Sequence, residues 1–279
     1  YSSHLTFNSL TEYERWKSHV NTEISCGLRV NPGYSEVETE LYNPCAPNSR
    51  LGIARHLLGE ELPEGIEGLH FHALCENDSY TLERVLKSFT ELYDSYLKKV
   101  KWVNFGGGHL MTKKGYDIEH LIHVLKNFKS QYPNIEEVIL EPGSAVGWQT
   151  GYLMSTILDI VQNGTNPIAM LDVSFTCHMP DCLEMPYQPR ILNTSENGSH
   201  EYFMGGMSCL AGDYMGTWKF DQALKVGDQI IFDDMIHYTM VKTSTFNGIN
   251  LPSIGIWTKE NNFQLLNSYG YEDYASRLS

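Results

Sequence analysis

Asn104-Phe-Gly-Gly-Gly-His109 stands at the end of a short run, residues 102–105, that reads as a β-strand. Three consecutive glycines free the backbone of Cβ restrictions, so successive N–H groups can turn toward one point. A helix start just beyond would add its partial positive charge, and the combination is a phosphate cradle. A tight strand-to-helix turn is the alternative reading. A nucleotide P-loop is excluded, because no Gly-Lys-Ser/Thr follows the glycines.

Upstream, residues 4–8 read as a strand and residues 11–20 as a helix, with Thr11 as N-cap and Glu14 three positions later. Residues 26–31 are the next strand, stopped by Pro32-Gly33; a polar loop over 34–48 leads to an expected helix near 53–58. Residues 66–72 form a strand, and 79–99 a long amphipathic helix. Downstream, residues 117–132 read as a helix with Ile118, Leu121, Ile122 and Leu125 on one face and Pro133 after its end. Residues 138–141 are a strand stopped by Pro142-Gly143. Five β/α units in succession give an α/β class with parallel strands: part of a (β/α)8 TIM-type barrel, about five of its eight units. From Gly151 the pattern changes to β-rich stretches at 152–161, 167–175, 229–232 and 238–243, with turns at Asn163-Gly164, Asn197-Gly198 and Asn247-Gly248. The expected division is therefore 1–150, α/β barrel, and 151–279, a mostly antiparallel β domain.

Composition narrows the function classes. The 279 residues carry 34 acidic against 20 basic side chains, a formal charge of −14, with 42% hydrophobic and 19% charged residues. That is a globular composition, not a disordered one. No Lys/Arg cluster suits nucleic acid. The acidity is compatible with a cationic substrate, although solubility alone accounts for it. Six scattered cysteines without a C-x-x-C pair point to a reducing, cytoplasmic setting, so the four N-x-S/T sequons read as chance. No run approaches the ~20 apolar residues of a membrane helix, and the N-terminus is not a signal peptide.

Three further features carry chemistry. Glu141 ends a strand, where a carboxylate faces the functional mouth of a barrel, or caps a loop. His70 and His72 share one strand face; a metal pair is conceivable, but no complementary ligand is apparent, so no metal is expected. Cys209-Leu-Ala-Gly-Asp213 sets a thiol in a glycine-containing loop, as a proton donor or a buried cysteine.

The order of these features resembles the alanine-racemase-fold, pyridoxal-phosphate-dependent decarboxylases related to ornithine and diaminopimelate decarboxylase. Within them the chain is most similar to the carboxynorspermidine (carboxyspermidine) decarboxylase branch. The resemblance rests on Gly27-Leu-Arg-Val-Asn-Pro32, Ser49-Arg-Leu-Gly52, Gly68-Leu-His-Phe-His-Ala-Leu-Cys-Glu76, Val103-Asn-Phe-Gly-Gly-Gly-His109, His178-Met-Pro-Asp-Cys-Leu-Glu-Met-Pro-Tyr187 and Ser208-Cys-Leu-Ala-Gly-Asp213. It implies pyridoxal 5'-phosphate as cofactor, with His72 stacked on the pyridine face. Gly106, Gly107 and Gly108 would bind the phosphate through backbone N–H, with Tyr238 as a hydroxyl donor, and Glu141 would keep the pyridine nitrogen protonated. Cys209 would return a proton to the substrate α-carbon, and Asp213 would meet an aminopropyl ammonium. Arg50 is a substrate candidate as a carboxylate or loop anchor, with a surface salt bridge as its alternative; Glu76, Asp181 and Glu184 are candidates for amine recognition, each with ordinary surface exposure as its alternative. A homodimer is implied, with the Cys209 loop offered across the interface.

Two departures stand out. Ser144 follows Glu141-Pro-Gly where relatives often carry a charged or larger polar residue. No lysine matches the one that binds the cofactor in the family: Lys98, Lys99, Lys101, Lys113, Lys114, Lys219 and Lys225 all lie in other contexts. With five barrel units and a Tyr1 start, the expectation is an N-terminally truncated chain, inactive as it stands. Two other functions are weighed: a diaminopimelate- or ornithine-type decarboxylase, disfavoured by Leu210 where those relatives are acidic, and a non-catalytic polyamine- or partner-binding homologue.

Overall fold

A computed structural model describes residues 1–278 and divides them into two compact units, the first ending at Val146 and the second starting at Gly147. The first unit is built on β1 (His4–Phe7), α1 (Leu10–Trp16), β2 (Ser25–Arg29), β3 (Ile66–His70), α2 (Ser79–Leu97), β4 (Trp102–Asn104), α3 (Ile118–Gln131) and β5 (Glu137–Ile139). The five strands lie in the order β1-β2-β3-β4-β5, every pair parallel, as the β/α succession predicted.

The helices follow from caps and apolar stripes. Asp78 accepts from Thr81 N–H at 2.8 Å and Asp117 from His120 N–H at 2.9 Å, opening α2 and α3. Leu82, Val85, Phe89, Tyr93 and Tyr96 bury one face of α2, and Leu121, Val124 and Phe128 one face of α3. Their rings meet the strands: Phe71 and Phe89 centroids are 4.8 Å apart, Phe105 and Phe128 5.0 Å. In α1 the cap is Ser9, not Thr11: its side chain accepts from Glu12 N–H at 3.1 Å, while Glu12 reaches back to Asn8 N–H at 2.7 Å. The helix expected near 53–58 is only a 3-10 turn, Arg55–Leu57. Pro32, Pro44 and Pro47 break up this stretch, so β2 reaches β3 without an α-helix.

Strand alternation sorts the side chains. Leu28, Leu69 and Val103 join the helix-facing core; Gly27, Gly68 and Trp102 lie on the other face. The indole of Trp102 covers both glycines: a Cβ on Gly68 would sit 2.0 Å from it, and one on Gly27 2.4 Å. Arg29, His70 and Asn104 come next along the same face, toward the strand ends, and β-register pairs His70 with both Arg29 and Asn104.

After α4 (Gly143–Gly147), the second unit contains β6 (Tyr152–Val161), β7 (Ile168–Leu171), α5 (Phe175–His178), α6 (Pro180–Glu184), β8 (His200–Gly205), β9 (Tyr214–Phe220), β10 (Gln229–Asp233), α7 (Tyr238–Val241), β11 (Ile254–Trp257), β12 (Phe263–Asn267) and α8 (Tyr271–Ala275). Its main sheet runs β10-β6-β7-β8-β9 and is antiparallel except for β7 with β8; β11 and β12 pair separately. The core gathers Phe175, Met204, Trp218 and Phe232. Two expected strands are corrected. The one over 167–175 stops at Leu171, because Ser174 accepts from Cys177 N–H at 3.1 Å and caps a helix. The one over 238–243 is helix α7: Lys242 N–H bonds to Tyr238 C=O, and buried Thr239 points at Met235, so tertiary contacts override the β-branched pattern. Among the described residues no helix is long and apolar enough to cross a membrane.

Candidate active site

In the first unit the strand ends bring His72, Gly106, Gly107, Gly108 and Glu141 together. Gly106 and Gly108 have φ of +67° and +83°, the left-handed region that glycine alone enters freely. A Cβ on Gly106 would lie 2.6 Å from Phe71 C=O, on Gly107 2.6 Å from Glu141 C=O, and on Gly108 2.1 Å from Leu74 C=O. The loop is thus wedged between the ends of β3 and β5, in a space only a bare backbone fills. Glu141 N–H donates to Gly106 C=O at 2.8 Å and closes the other side.

The hydrogen bonds assign the N–H groups of this loop. Gly106 N–H donates to Asn104 Oδ1 at 2.8 Å, and Gly107 N–H to His72 Nδ1 at a longer 3.3 Å. Gly106 is therefore committed to the protein itself, while Gly107 is held weakly. Burial and the nearby Arg29 push His72 below its ordinary value, and a neutral ring is the form whose Nδ1 can accept. Asn104 also donates from Nδ2 to Glu141 Oε1 at 2.7 Å. His70 is buried, with no hydrogen-bond partner on either ring nitrogen among the described residues, and burial pushes it down to about 4.

A cleft of about 560 Å³ opens beside this cluster, lined by Arg29, Tyr42, Asn43, Ser49, Arg50 and His72. Arg50 is exposed, and its backbone C=O accepts from Asn8 Nδ2 at 2.8 Å. Arg29 and Asn104 escaped the sequence reading; the available signal was a polar residue ending an otherwise apolar strand. Glu76 is exposed in a left-handed turn, φ +54°. Lys98, Lys99 and Lys101 are tied to Asp94, Glu61 and Glu67 in exposed ion pairs.

In the second unit Asp213 is buried and saturated with donors. Its Oδ2 accepts from Ser174 Oγ at 2.8 Å and Ser208 N–H at 2.9 Å, its Oδ1 from Thr176 N–H at 3.1 Å. Burial raises this carboxyl, but the hydrogen bonds outweigh it and hold the group below its ordinary value. The knot fixes the turn carrying Cys209, whose side chain is exposed. Asp181, on α6, is buried and pairs with Lys242 Nζ at 2.5 Å; Glu184 joins the same ammonium at 2.8 Å. Lys242 also lies 5.8 Å from the ring centroid of Tyr238, the exposed first residue of α7.

The residues present fit pyridoxal phosphate: a glycine cradle no Cβ could share, a neutral histidine beside it, and a carboxylate held at a strand end. The family model "Pyridoxal-dependent decarboxylase, C-terminal sheet domain" matches residues 80–236. The chain is 50% identical to carboxyaminopropylagmatine decarboxylase of Synechocystis sp., covering 99% of this chain and 72% of that protein. It is 47% identical to the carboxynorspermidine/carboxyspermidine decarboxylase of Campylobacter jejuni, covering 99% and 75%. The crystal structure of carboxynorspermidine decarboxylase from Campylobacter jejuni, complexed with norspermidine, superposes with a TM-score of 0.87 at 43% identity, over 99% of this chain and 75% of that one. On this similarity, the chain belongs to the pyridoxal-dependent decarboxylases, in the branch of the carboxynorspermidine/carboxyspermidine decarboxylases.

Proposed function

We propose that the protein removes the α-carboxylate of a carboxylated polyamine, carboxynorspermidine or carboxyspermidine, to give norspermidine or spermidine. The observation that carries this reading is the glycine loop wedged between His72 and Glu141, together with the 47% identity to the Campylobacter jejuni enzyme. Pyridoxal phosphate, when bound, supplies an electron sink for the pair freed as carbon dioxide leaves. Gly108, and Gly107 on giving up its long bond to His72, would offer N–H to its phosphate, with the Tyr238 hydroxyl as a further donor. His72 would hold the ring from one side, and Glu141 would keep a proton on the pyridine nitrogen. Cys209 delivers a proton to the α-carbon in place of the lost carboxylate.

The amine end is assigned to Asp181 and Glu184. Their support is that this pair already coordinates an ammonium, that of Lys242, beside an aromatic ring. Substrate ammonium exchanging with Lys242 keeps the charge balance. Asp213 is spent on its own knot and serves by holding the Cys209 turn; Arg50 and Arg29 line the cleft where an anionic group would enter, and Glu76 remains a further candidate for the amine. The barrel unit over 1–150 carries the glycine loop, His72 and Glu141, and the β domain over 151–279 contributes Tyr238, Cys209, Asp181 and Glu184. A cytoplasmic homodimer, with the exposed Cys209 turn at the subunit boundary, completes the proposal; its support is six free thiols and the exposure of Met207, Cys209 and Leu210.

A second substrate is favoured by the 50% identity to the Synechocystis enzyme: carboxyaminopropylagmatine, whose far end is a guanidinium. One assay separates them. Carbon dioxide release by the full-length protein with pyridoxal phosphate is measured on all three substrates. Turnover of none overturns the assignment, and a tenfold preference for the agmatine derivative replaces the first substrate class by the second.

A further inference from the structure

The side chain of Asn104 bonds two parts of the site that the sequence treats as separate motifs. Its Oδ1 accepts from Gly106 N–H at 2.8 Å and its Nδ2 donates to Glu141 Oε1 at 2.7 Å. Asn104 is itself buried, 7% exposed, at the last position of β4. An amide offers an acceptor and a donor side by side on one short planar group; a carboxylate has acceptors alone, and an alkyl side chain neither. We propose that Asn104 is a positioning residue that locks the glycine loop and the Glu141 carboxylate into one geometry, so that the phosphate end and the pyridine end of the cofactor are set by a single side chain. The inference rests on the pyridoxal-phosphate reading of the site.

Physical consequences follow at each end. At the loop, capturing Gly106 N–H turns that amide away from the ligand, so that the left-handed Gly106 and Gly108 present the amides that follow. At the carboxylate, a charge-assisted bond to Oε1 fixes the rotamer of a side chain on an otherwise open strand end. Arg29 on β2, His70 at the end of β3 and His72 just beyond it are the titratable groups whose charge acts together with that of Glu141. Burial pushes the two histidines toward their neutral forms. Asn104 then provides the close, directional contact.

The test uses the full-length protein and two probes without an aldehyde, pyridoxine 5'-phosphate and pyridoxine, so that no covalent link enters. Binding is followed by fluorescence, and hydrogen exchange of the 103–110 segment by mass spectrometry without ligand. In Asn104→Ala, exchange in that segment accelerates and pyridoxine 5'-phosphate binding weakens about tenfold, the scale of a lost charged-group hydrogen bond. In Asn104→Asp, which keeps the acceptor for Gly106 but loses the donor, exchange stays slow and the affinity advantage of the phosphorylated probe persists. Binding of pyridoxine itself still falls, and no longer does so when Glu141→Ala is already present. Unchanged exchange and affinity in Asn104→Ala overturn the proposal, as does an equal loss for both probes with exchange raised throughout the unit. Failure of the unmutated protein to prefer the phosphorylated probe overturns the cofactor reading itself.

Discussion

Lys242 places its ammonium 2.5 Å from a carboxylate oxygen of Asp181, a buried acid on a helix one turn and a half long, with Glu184 at 2.8 Å on the open side. An internal cation in a carboxylate pair is either a strut or a stand-in for a ligand. The two roles give opposite kinetics. If substrate ammonium exchanges with Lys242, Lys242→Met removes a competitor and lowers KM severalfold, while Asp181→Asn raises KM about tenfold, one lost charged hydrogen bond. A strut predicts that Lys242→Met lowers thermal stability and raises KM together. Steady-state kinetics with thermal melts on both variants separates the cases.

The Asp213 knot makes a stability prediction. Asp213→Ala removes the acceptor of the half-buried Thr176 and Ser208 amides and leaves buried Ser174 Oγ only its 3.0 Å contact with Thr176 Oγ1 as an outlet, and we expect a loss of about 2–4 kcal/mol by urea unfolding. Asp213→Asn retains one acceptor and should cost less than half as much. A KM effect without loss of stability in either variant would return Asp213 to the substrate-contacting role that the motif suggested.

Beneath the site, Trp102 fills the space over Gly27 and Gly68. A methyl on Gly68 would come within 2.0 Å of the indole, so Gly68→Ala forces either the ring or the strand to move. We expect a cost of about 3 kcal/mol or more, with Gly27→Ala close behind. Combining Gly68→Ala with Trp102→Leu should be less destabilising than the sum of the two single changes. Additive losses in a double-mutant cycle would show that the glycine is needed for its backbone alone.

The parallel order of the first unit was legible because each strand and helix carries its own local signal: Asp78 and Asp117 as caps, 3.6-residue stripes on α2 and α3, glycine and proline as stops. What escaped was set by long-range contacts. Residues 238–243 alternate like a strand, yet Thr239 is buried against Met235 and Lys242 is drawn to α6. Strands β8 and β9 were not expected, and they form by long-range pairing, β8 with both β7 and β9. In the candidate site, motif order singled out His72, the glycines and Glu141, and the structure brings these together. Asn104 stood inside the quoted motif without a role, because a clamp between two motifs is visible only when both are in space.

Acid should weaken the fold in two windows. Burial pushes His70 and His109 each from an ordinary 6.5 down to about 4. As pH falls from about 6.5 to about 4 the unfolded chain takes up protons that the folded chain refuses. Stability therefore drops across that interval, and this source of loss ends below it. Glu36, held down to about 2 by hydrogen bonds from Arg84, Tyr34 and Thr81, stabilises the fold above about 4.5, and that contribution disappears between 4.5 and 2. Urea midpoints at pH 7, 5.5 and 4.5 test the first window, and His109→Gln should flatten the slope there. An unchanged slope in that variant would mean that His109 protonates in the folded chain.

The exposed thiol of Cys209 makes the sharpest kinetic prediction. A proton must reach the α-carbon after carbon dioxide leaves, and a general acid contributes about 10²–10⁴ to such a step. Cys209→Ala should lower kcat by at least tenfold, with KM little changed, or divert the proton and release a product other than the amine. Cys209→Ser retains the shape but is a far weaker acid, so it should resemble Ala. If both variants yield clean product at the unmutated rate, the proton comes from elsewhere, and the Asp213 knot serves only to order the turn.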